Sequence, residues 1–452
     1  MARRLPRVLG LFDVSVLASA AMGPAYSLAA TMGPMVAAAG SYATLALALI
    51  AAIVLCIALA FARLSRALPN AGSSFTWIAR GFGVRAGAYA AWLLLLSNYF
   101  ATMATALPAA TYTLALVAPA QASSPLGNAL VGCGWIAASS ALLSRGLRPT
   151  AATTALFLVT ELVVVVVSSL AALAAHPAPE QLAAPAPALA NPFVGIVTAM
   201  VLGIWMTDGW EVSASAAEEA RGSAGMPGRG GIVGLVVTTL VLLFAMSAYL
   251  HVGSVAGFAA NQTDAMAYVA TRLGGGAWRL AIVATVLVST AATLWTTLLY
   301  LSRSVYAMGR DGALPRACGD LDARGLPRNA LLLVFASVTL FTLATGLWPT
   351  AASALALVLS GTSIFLGALF CLSALAAVRL LPAKAGEGRV PTLAVPVFGA
   401  VALALVIGIA VVQSDATTRA IELGGLALGL PFAFWRSRSM RASGLRGVSS
   451  PR

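Results

Sequence analysis

The chain has 452 residues, 60% of them hydrophobic and 9% charged, with a mean hydropathy of +0.92, which excludes a single water-soluble core and points to a polytopic membrane protein. The formal net charge of +13 does not point to nucleic acid, because the basic residues fall in short clusters between apolar runs and not in one tract or on one face. Four scattered cysteines, Cys56, Cys133, Cys318 and Cys371, form no CxxC pair and have no histidine neighbour, so neither a metal nor a redox site is expected.

A spanning helix needs about 20 mostly apolar residues. On that rule the chain reads as an all-α integral membrane protein of 12 spans, at 12–37, 42–62, 84–117, 126–145, 151–174, 193–217, 231–253, 277–308, 327–346, 350–378, 391–412 and 418–436. Together they make one transmembrane domain, 1–436, followed by a basic tail, 437–452. The short basic N-terminus (Arg3, Arg4, Arg7) precedes an apolar stretch without an AxA-like cleavage site, so the first span is expected to be retained and not removed as a signal peptide.

Span 1 carries AMGPAYS, Ala21 to Ser27, with Gly23 and Pro24 near its middle. Proline removes a backbone donor and clashes with the preceding turn, so a helix break is expected there. In span 3, Ser97, Asn98 and Tyr99 interrupt the apolar run, and Glu161 lies in the middle of span 5. Span 6 carries GIWMTDGWE, Gly203 to Glu211, with Gly209 between two acids. Span 8 holds Ser289, Thr290, Thr293, Trp295, Thr296 and Thr297. An ionisable group at membrane depth reads first as functional, whereas Ser, Thr and Asn also bridge helices without binding anything.

Topology follows from the positive-inside bias. With 12 spans, all but Arg272, Arg279 and Arg419 of the 27 Lys and Arg residues fall on the side of the N-terminus. Both termini are therefore expected in the cytoplasm and the chain in the plasma (inner) membrane. The longer outer loops are the Pro-rich stretch from His176 to Pro192 and the loop around Asp264. No extramembrane segment is large enough for a catalytic domain.

Breaks in spans 1 and 6 occupy equivalent positions if spans 1 to 5 and 6 to 10 are two repeats of opposite orientation, about 12–174 and 193–378, with extra helices at 391–436. Interrupted helices at matching positions in two halves point to a binding site. Each break exposes carbonyls at one half-helix end and N–H groups at the next start, a charge pattern that suits a small zwitterion or amine.

Three motifs carry a resemblance to a known family. After span 2 stands FARLSRALPNAGSSFTWIARGFG (Phe61 to Gly83), in span 6 WMTDGWEVSASAAEEARG (Trp205 to Gly222), and after span 8 LSRSVYAMGRDGALPR (Leu301 to Arg316). The chain, over roughly residues 10 to 435, resembles the amino acid, polyamine and organocation (APC) transporter superfamily, with Arg63 at a place where an acid is common. The resemblance implies a five-plus-five inverted-repeat fold with discontinuous helices 1 and 6, and a permease working by alternating access. Its substrate, a small amine-bearing solute, would sit between spans 1, 3, 6 and 8. The solute carboxylate would meet N–H groups at the span 1 break, formed by Met22, Gly23, Pro24, Ala25, Tyr26 and Ser27. Its amine would meet carbonyls of spans 1 and 6. Trp205, four residues before Gly209, matches the aromatic lid of some relatives. Ser97, Asn98, Thr207, Asp208, Trp295 and Thr297 complete the expected lining.

This sequence departs from the family pattern twice. Pro24 and Ala25 stand where relatives have a small residue and a second glycine, and Pro24 cannot donate to a carboxylate. Asp208 takes a position that is usually apolar. An isolated buried carboxylate must find a cation or a proton, which leaves three readings open: a partner for a solute ammonium, a proton carrier, or an acceptor that steadies the break. Glu211 reads as structural. For coupling, Asp208 and Glu161 suit a proton, Glu161 lying near a lysine position of some proton-coupled relatives, while Ser289, Thr290 and Thr293 suit sodium. Glu218 and Glu219 are placed to pair with Arg303 and Arg310 as an inner gate, or to form a solvated charge cluster.

The rival classes fit less well. A membrane-embedded enzyme needs a convergent set such as HExxH, and the two histidines, His176 and His251, lie near outer loops; a channel would show pore-lining polar stripes or a filter loop. Within transport, the alternative is an exchanger or a carrier of a carboxylate-poor solute. No resident cofactor is expected, only H+ or Na+ as a coupling ion. Membrane lipids are the expected surroundings, and the absence of a cysteine in the outer loop after span 3 predicts no disulfide-linked subunit. The sequence does not settle the oligomeric state.

Overall fold

A computed structural model describes residues 7–145, 147–176, 191–383 and 388–442 of the chain. Arg3, Arg4, Lys384, positions 177–190 of the Pro-rich loop and 443–452 of the basic tail lie outside the described residues. Within them the protein is all-helical, its one β-type pairing an isolated parallel bridge between Leu9 and Ala220.

The apolar runs fold as helices that begin and end on local chemistry. Helix α1 (Leu11–Met22) stops at Gly23 and α2 (Pro24–Ala39) restarts with Pro24 in its first turn, where the missing N–H costs nothing. After the turn at Gly40 comes α3 (Ala43–Ala67), then α4 (Ser73–Phe82) and α5 (Val84–Val117). Helix α6 (Pro125–Leu143) is capped by the Ser124 side chain and followed by α7 (Leu147–Ala174). Helix α8 (Pro192–Met206) has Asn191 as its cap and gives way to the four-residue α9 (Val212–Ser215). Then come α10 (Met226–Val252), α11 (Val255–Ala260), α12 (Ala265–Arg272) and α13 (Ala277–Arg310). The last four are α14 (Arg328–Thr345), α15 (Ala351–Leu380), α16 (Val395–Gln413) and α17 (Ala416–Ala442).

Among the described residues nine helical stretches are long and apolar enough to cross a membrane, where the sequence pattern predicted twelve spans. The differences have local causes. Leu11–Ala67 counts as one stretch although Gly23 and Gly40 divide it. Pro192–Met206 falls short because span 6 halts at Thr207. In α17, Arg419, Glu422 and three glycines (Gly424, Gly425, Gly429) dilute the apolar run. Helix α4, inside the motif after span 2, and α11 and α12, in the loop before span 8, are short helices that the span count passed over.

Two apolar cores flank the broken helices. One joins α2, α3, α8 and α10; the other joins α4, α5, α13 and α14. Helix α1 packs on α10, α7 and α13, and α2 packs on α8 and α13. The breaks at Gly23 and Thr207–Glu211 thus lie where the two cores meet.

A candidate site at the two helix breaks

Gly23 adopts φ 52 and ψ 74, a left-handed conformation that glycine takes at little cost. It also lacks room for a side chain, since a Cβ there would run into the Thr293 hydroxyl and approach the Tyr26 ring. Its N–H still bonds Ser19 O (3.2 Å) and its carbonyl accepts from Ser27 N (2.7 Å). The break therefore reorients the chain without surrendering those groups. The end of α1 is tied down from outside: Ala20 O accepts from Thr293 Oγ1 (2.9 Å) of α13, and Met22 O from Ser27 Oγ (2.5 Å).

The N–H groups of α2 that should be free are partnered. Ala25 N donates to Glu161 Oε2 of α7 at 3.3 Å, and Tyr26 N donates to Ser289 Oγ of α13 at 3.1 Å. Orphan donors at a helix N-terminus suit a carboxyl group, and here that group belongs to a side chain of the protein. Glu161 and Ser289, both fully buried, thus stand where the resemblance places the solute carboxylate.

At the second break, Thr207 closes α8: its N–H and its hydroxyl both bond Gly203 O, at 3.1 and 2.9 Å. Gly209 follows at φ 110, and its N–H donates to Glu211 Oε2 at 3.0 Å. Glu211 thereby steadies the break. The two breaks lie against one another, because a Cβ on Gly209 would stand 2.6 Å from the Ala21 carbonyl carbon and 2.8 Å from Met22 N. The Asp208 and Glu211 carboxyl groups face each other. Glu211 is buried, whereas Asp208 keeps part of its surface accessible, and neither pairs with a basic side chain among the described residues.

One aromatic layer covers the breaks. Trp205 and Tyr26 meet edge to face at 6.1 Å and 89°, a preferred geometry for such pairs. The Tyr26 hydroxyl donates to the Ala104 carbonyl of α5. Met103 and Leu107 of α5 and Leu355, Val358 and Leu359 of α15 fill the remaining space. Two broken helices and two continuous ones thus contribute to a single packed layer.

At the opposite end of the bundle, Glu219 Oε1 accepts from Arg303 Nε at 2.7 Å, both side chains buried. Nearer solvent, Arg310 Nη1 meets Glu218 Oε1 at 3.2 Å and Nη2 meets Asn70 Oδ1 at 3.3 Å. Glu218 also accepts from Ala71 N (3.0 Å), and the backbone of Val8 and Leu9 bonds Glu219 O (2.9 and 3.0 Å). These contacts join the N-terminal segment, the α3–α4 turn, the end of span 6 and α13.

Other expected residues are turned elsewhere. Ser97 and Asn98 bond the Leu94 carbonyl of their own helix (3.1 and 2.9 Å), and Thr290 bonds Val286 O (2.7 Å). The Trp295 indole donates to Thr154 Oγ1 (2.8 Å) and stacks at a tilt on Phe157, which commits it to α7. Thr297 is buried on α13. One residue that the sequence reading passed over belongs here: Tyr300 of α13 is buried with its hydroxyl near Asp208 and Glu211. Its signal in the sequence was its position three residues before Arg303, one helical turn away.

Comparison with known proteins identifies a family. The amino acid permease family matches residues 9–421, nearly the whole chain. A branched-chain amino acid permease, BcaP of Lactococcus lactis subsp. cremoris (strain MG1363), is 26% identical over 313 residues, covering 61% of this chain. The match spans 62% of that relative's length.

Proposed function

Because the chain belongs to the amino acid permease family, and is a multi-pass membrane transport protein and not an enzyme, we propose that it carries an amino acid by proton-coupled alternating access. The reading takes the fold as twelve spans in one domain, with repeats at about 12–174 and 193–378 and two extra helices. It takes the membrane as the plasma membrane, with both termini in the cytoplasm.

The observation that carries the proposal is the contact of Glu161 with the start of α2. A solute carboxylate needs the same N–H groups, and two carboxylates cannot share them while both are charged. Occupation by the solute therefore requires Glu161 to be protonated or to leave, which links solute binding to the protonation of Glu161. In this reading the solute ammonium meets Asp208, whose carboxyl has no basic side-chain partner among the described residues. Trp205 and Tyr26 close the site on the outer side, and the Glu219–Arg303 and Glu218–Arg310 pairs close the inner side. The printed name of the Lactococcus relative makes branched-chain amino acids the first solute class to try, in keeping with the apolar residues packed around Trp205 and Tyr26.

A second reading rests on Pro24 and on the engaged donors of Ala25 and Tyr26: a carrier or exchanger of a carboxylate-poor amine, with Glu161 as a fixed structural anion. Sodium in place of the proton would draw on Ser289, Thr293 and the Ala20 carbonyl. Uptake into proteoliposomes decides among them. An inward proton gradient should drive accumulation of a zwitterionic amino acid, and uptake driven instead by sodium, or by amines alone, overturns the proton-coupled reading.

A further inference from the structure

At the arginine-rich end of the bundle a cavity of about 550 Å³ opens between the end of α3, the start of α10 and the start of α16. Its polar wall is basic: Arg63, Arg66 and Arg229, with Ser223 and Gly225, and no acidic residue among the described lining. The Arg63 guanidinium is held by three backbone carbonyls, Leu381 O at 3.1 Å, Thr392 O at 3.3 Å and Pro391 O at 3.5 Å. Those bonds fix its position and leave its charge without a counter-ion among the described residues. Arg66 and Arg229 are exposed and make no ion pair or side-chain hydrogen bond among the described residues. The Arg66 stem lies 3.6 Å from where a Cβ of Gly225 would be, so its guanidinium is carried beside the N-terminus of the 27-residue α10. The positive end of that helix dipole adds to the three cations.

The rest of the wall is apolar: Leu59, Ala62, Pro391 and Val395. Next to it, Leu59, Leu393 and Phe398 are exposed on the outside of the bundle, in the stretch the fold places against lipid. An anion that fits has to bring both a phosphate-like head and an apolar body. A basic pocket between spans at the cytoplasmic surface suits an anionic phospholipid head group.

We propose that this cavity binds one anionic phospholipid, its phosphate between Arg66, Arg229 and the start of α10, its acyl chains along α3 and α16. The lipid joins α3 and α10, of the core around α2 and α8, to α16. It explains an arginine at position 63, where an acid would cut the charge of the three arginines from +3 to +1. The inference rests on the membrane placement of the chain and is independent of which solute or ion is carried.

The test is the thermal stability of the whole protein in nanodiscs, without solute, so that a failure here is separate from a failure of the transport reading. Nanodiscs containing phosphatidylglycerol should raise Tm by about 3 °C or more over phosphatidylcholine alone. The Arg66→Ala/Arg229→Ala double variant should lose that rise, and Arg66→Lys/Arg229→Lys should keep most of it. Should the alanine variant not fold, Ser223→Glu on the exposed lip serves instead and should abolish the rise by repulsion. The proposal is overturned if wild type shows no rise, if the alanine variant or Ser223→Glu retains it, or if inorganic phosphate in phosphatidylcholine discs reproduces it, which would assign the site to a soluble anion.

Discussion

Gly209 of the second helix break rests on Ala21 of the first: a side chain at 209 would stand 2.6 Å from the Ala21 carbonyl carbon. The two discontinuities are one structural unit, and neither half-helix can take a bulkier residue there without moving the other. Gly209→Ala combines that overlap with a φ of 110, a strain of about 1–3 kcal/mol from the backbone alone. We expect lower thermal stability and at least tenfold slower uptake in proteoliposomes. Wild-type rates in this variant would show that the breaks move independently.

Glu161→Gln keeps the size and the acceptor oxygen opposite Ala25 N but removes the group that can bind and release a proton. Accumulation driven by an inward proton gradient should be lost, while solute counterflow across the membrane continues. If gradient-driven accumulation persists in the variant, the proton is carried elsewhere.

Asp208→Asn removes the carboxyl group that faces Glu211 at the second break. A charge-assisted hydrogen bond is worth about 1.5–3 kcal/mol, so the apparent affinity for an amine-bearing solute should fall roughly tenfold or more. The comparison to make is the thermal shift produced by amino acids and amines on wild type and variant. Equal shifts in both would return Asp208 to a purely structural role beside Glu211.

Trp205→Ala opens the layer that Trp205 makes with Tyr26. The expected result is a raised KM with faster solute release from preloaded, washed protein, whereas Trp205→Phe, which retains an aromatic edge for Tyr26, should hold solute nearly as well as wild type. Release kinetics that do not distinguish alanine from tryptophan would remove Trp205 from the seal.

Arg303 and Glu219 form a buried pair, and removing one partner strands the other charge at a cost of about 3–5 kcal/mol. Glu219→Gln and Arg303→Gln should each lower Tm and favour the inward-open form, seen as greater labelling of a single cysteine introduced below the site in a cysteine-free background. The double Gln variant should recover part of the lost stability. Additive losses in the double variant would mean that the two residues act separately.

How much of this was legible in the sequence depends on the range of the interaction. The apolar runs, the Gly-Pro break in span 1 and the Asp-Gly break in span 6 are local: each is dictated by what a few consecutive residues can do with their own backbone. So are the motifs that led to the family, and the placing of Glu218, Glu219, Arg303 and Arg310 at the same end. The short helices α4, α11 and α12 inside apparent loops were less legible, because they bury too few apolar residues to stand out as runs.

By itself the sequence determined a helical membrane chain with two interrupted spans, since composition sets the solvent and glycine and proline set where a helix can fail. Only the tertiary structure decided who meets whom at those interruptions. It brought Glu161 to Ala25, 136 residues away, and Ser289 to Tyr26, 263 residues away, and it turned Trp295 away to Thr154. Buried donors and acceptors have to be satisfied somewhere in a medium without water. Which distant side chain does so follows from how the helices pack, and that is not written in any local pattern.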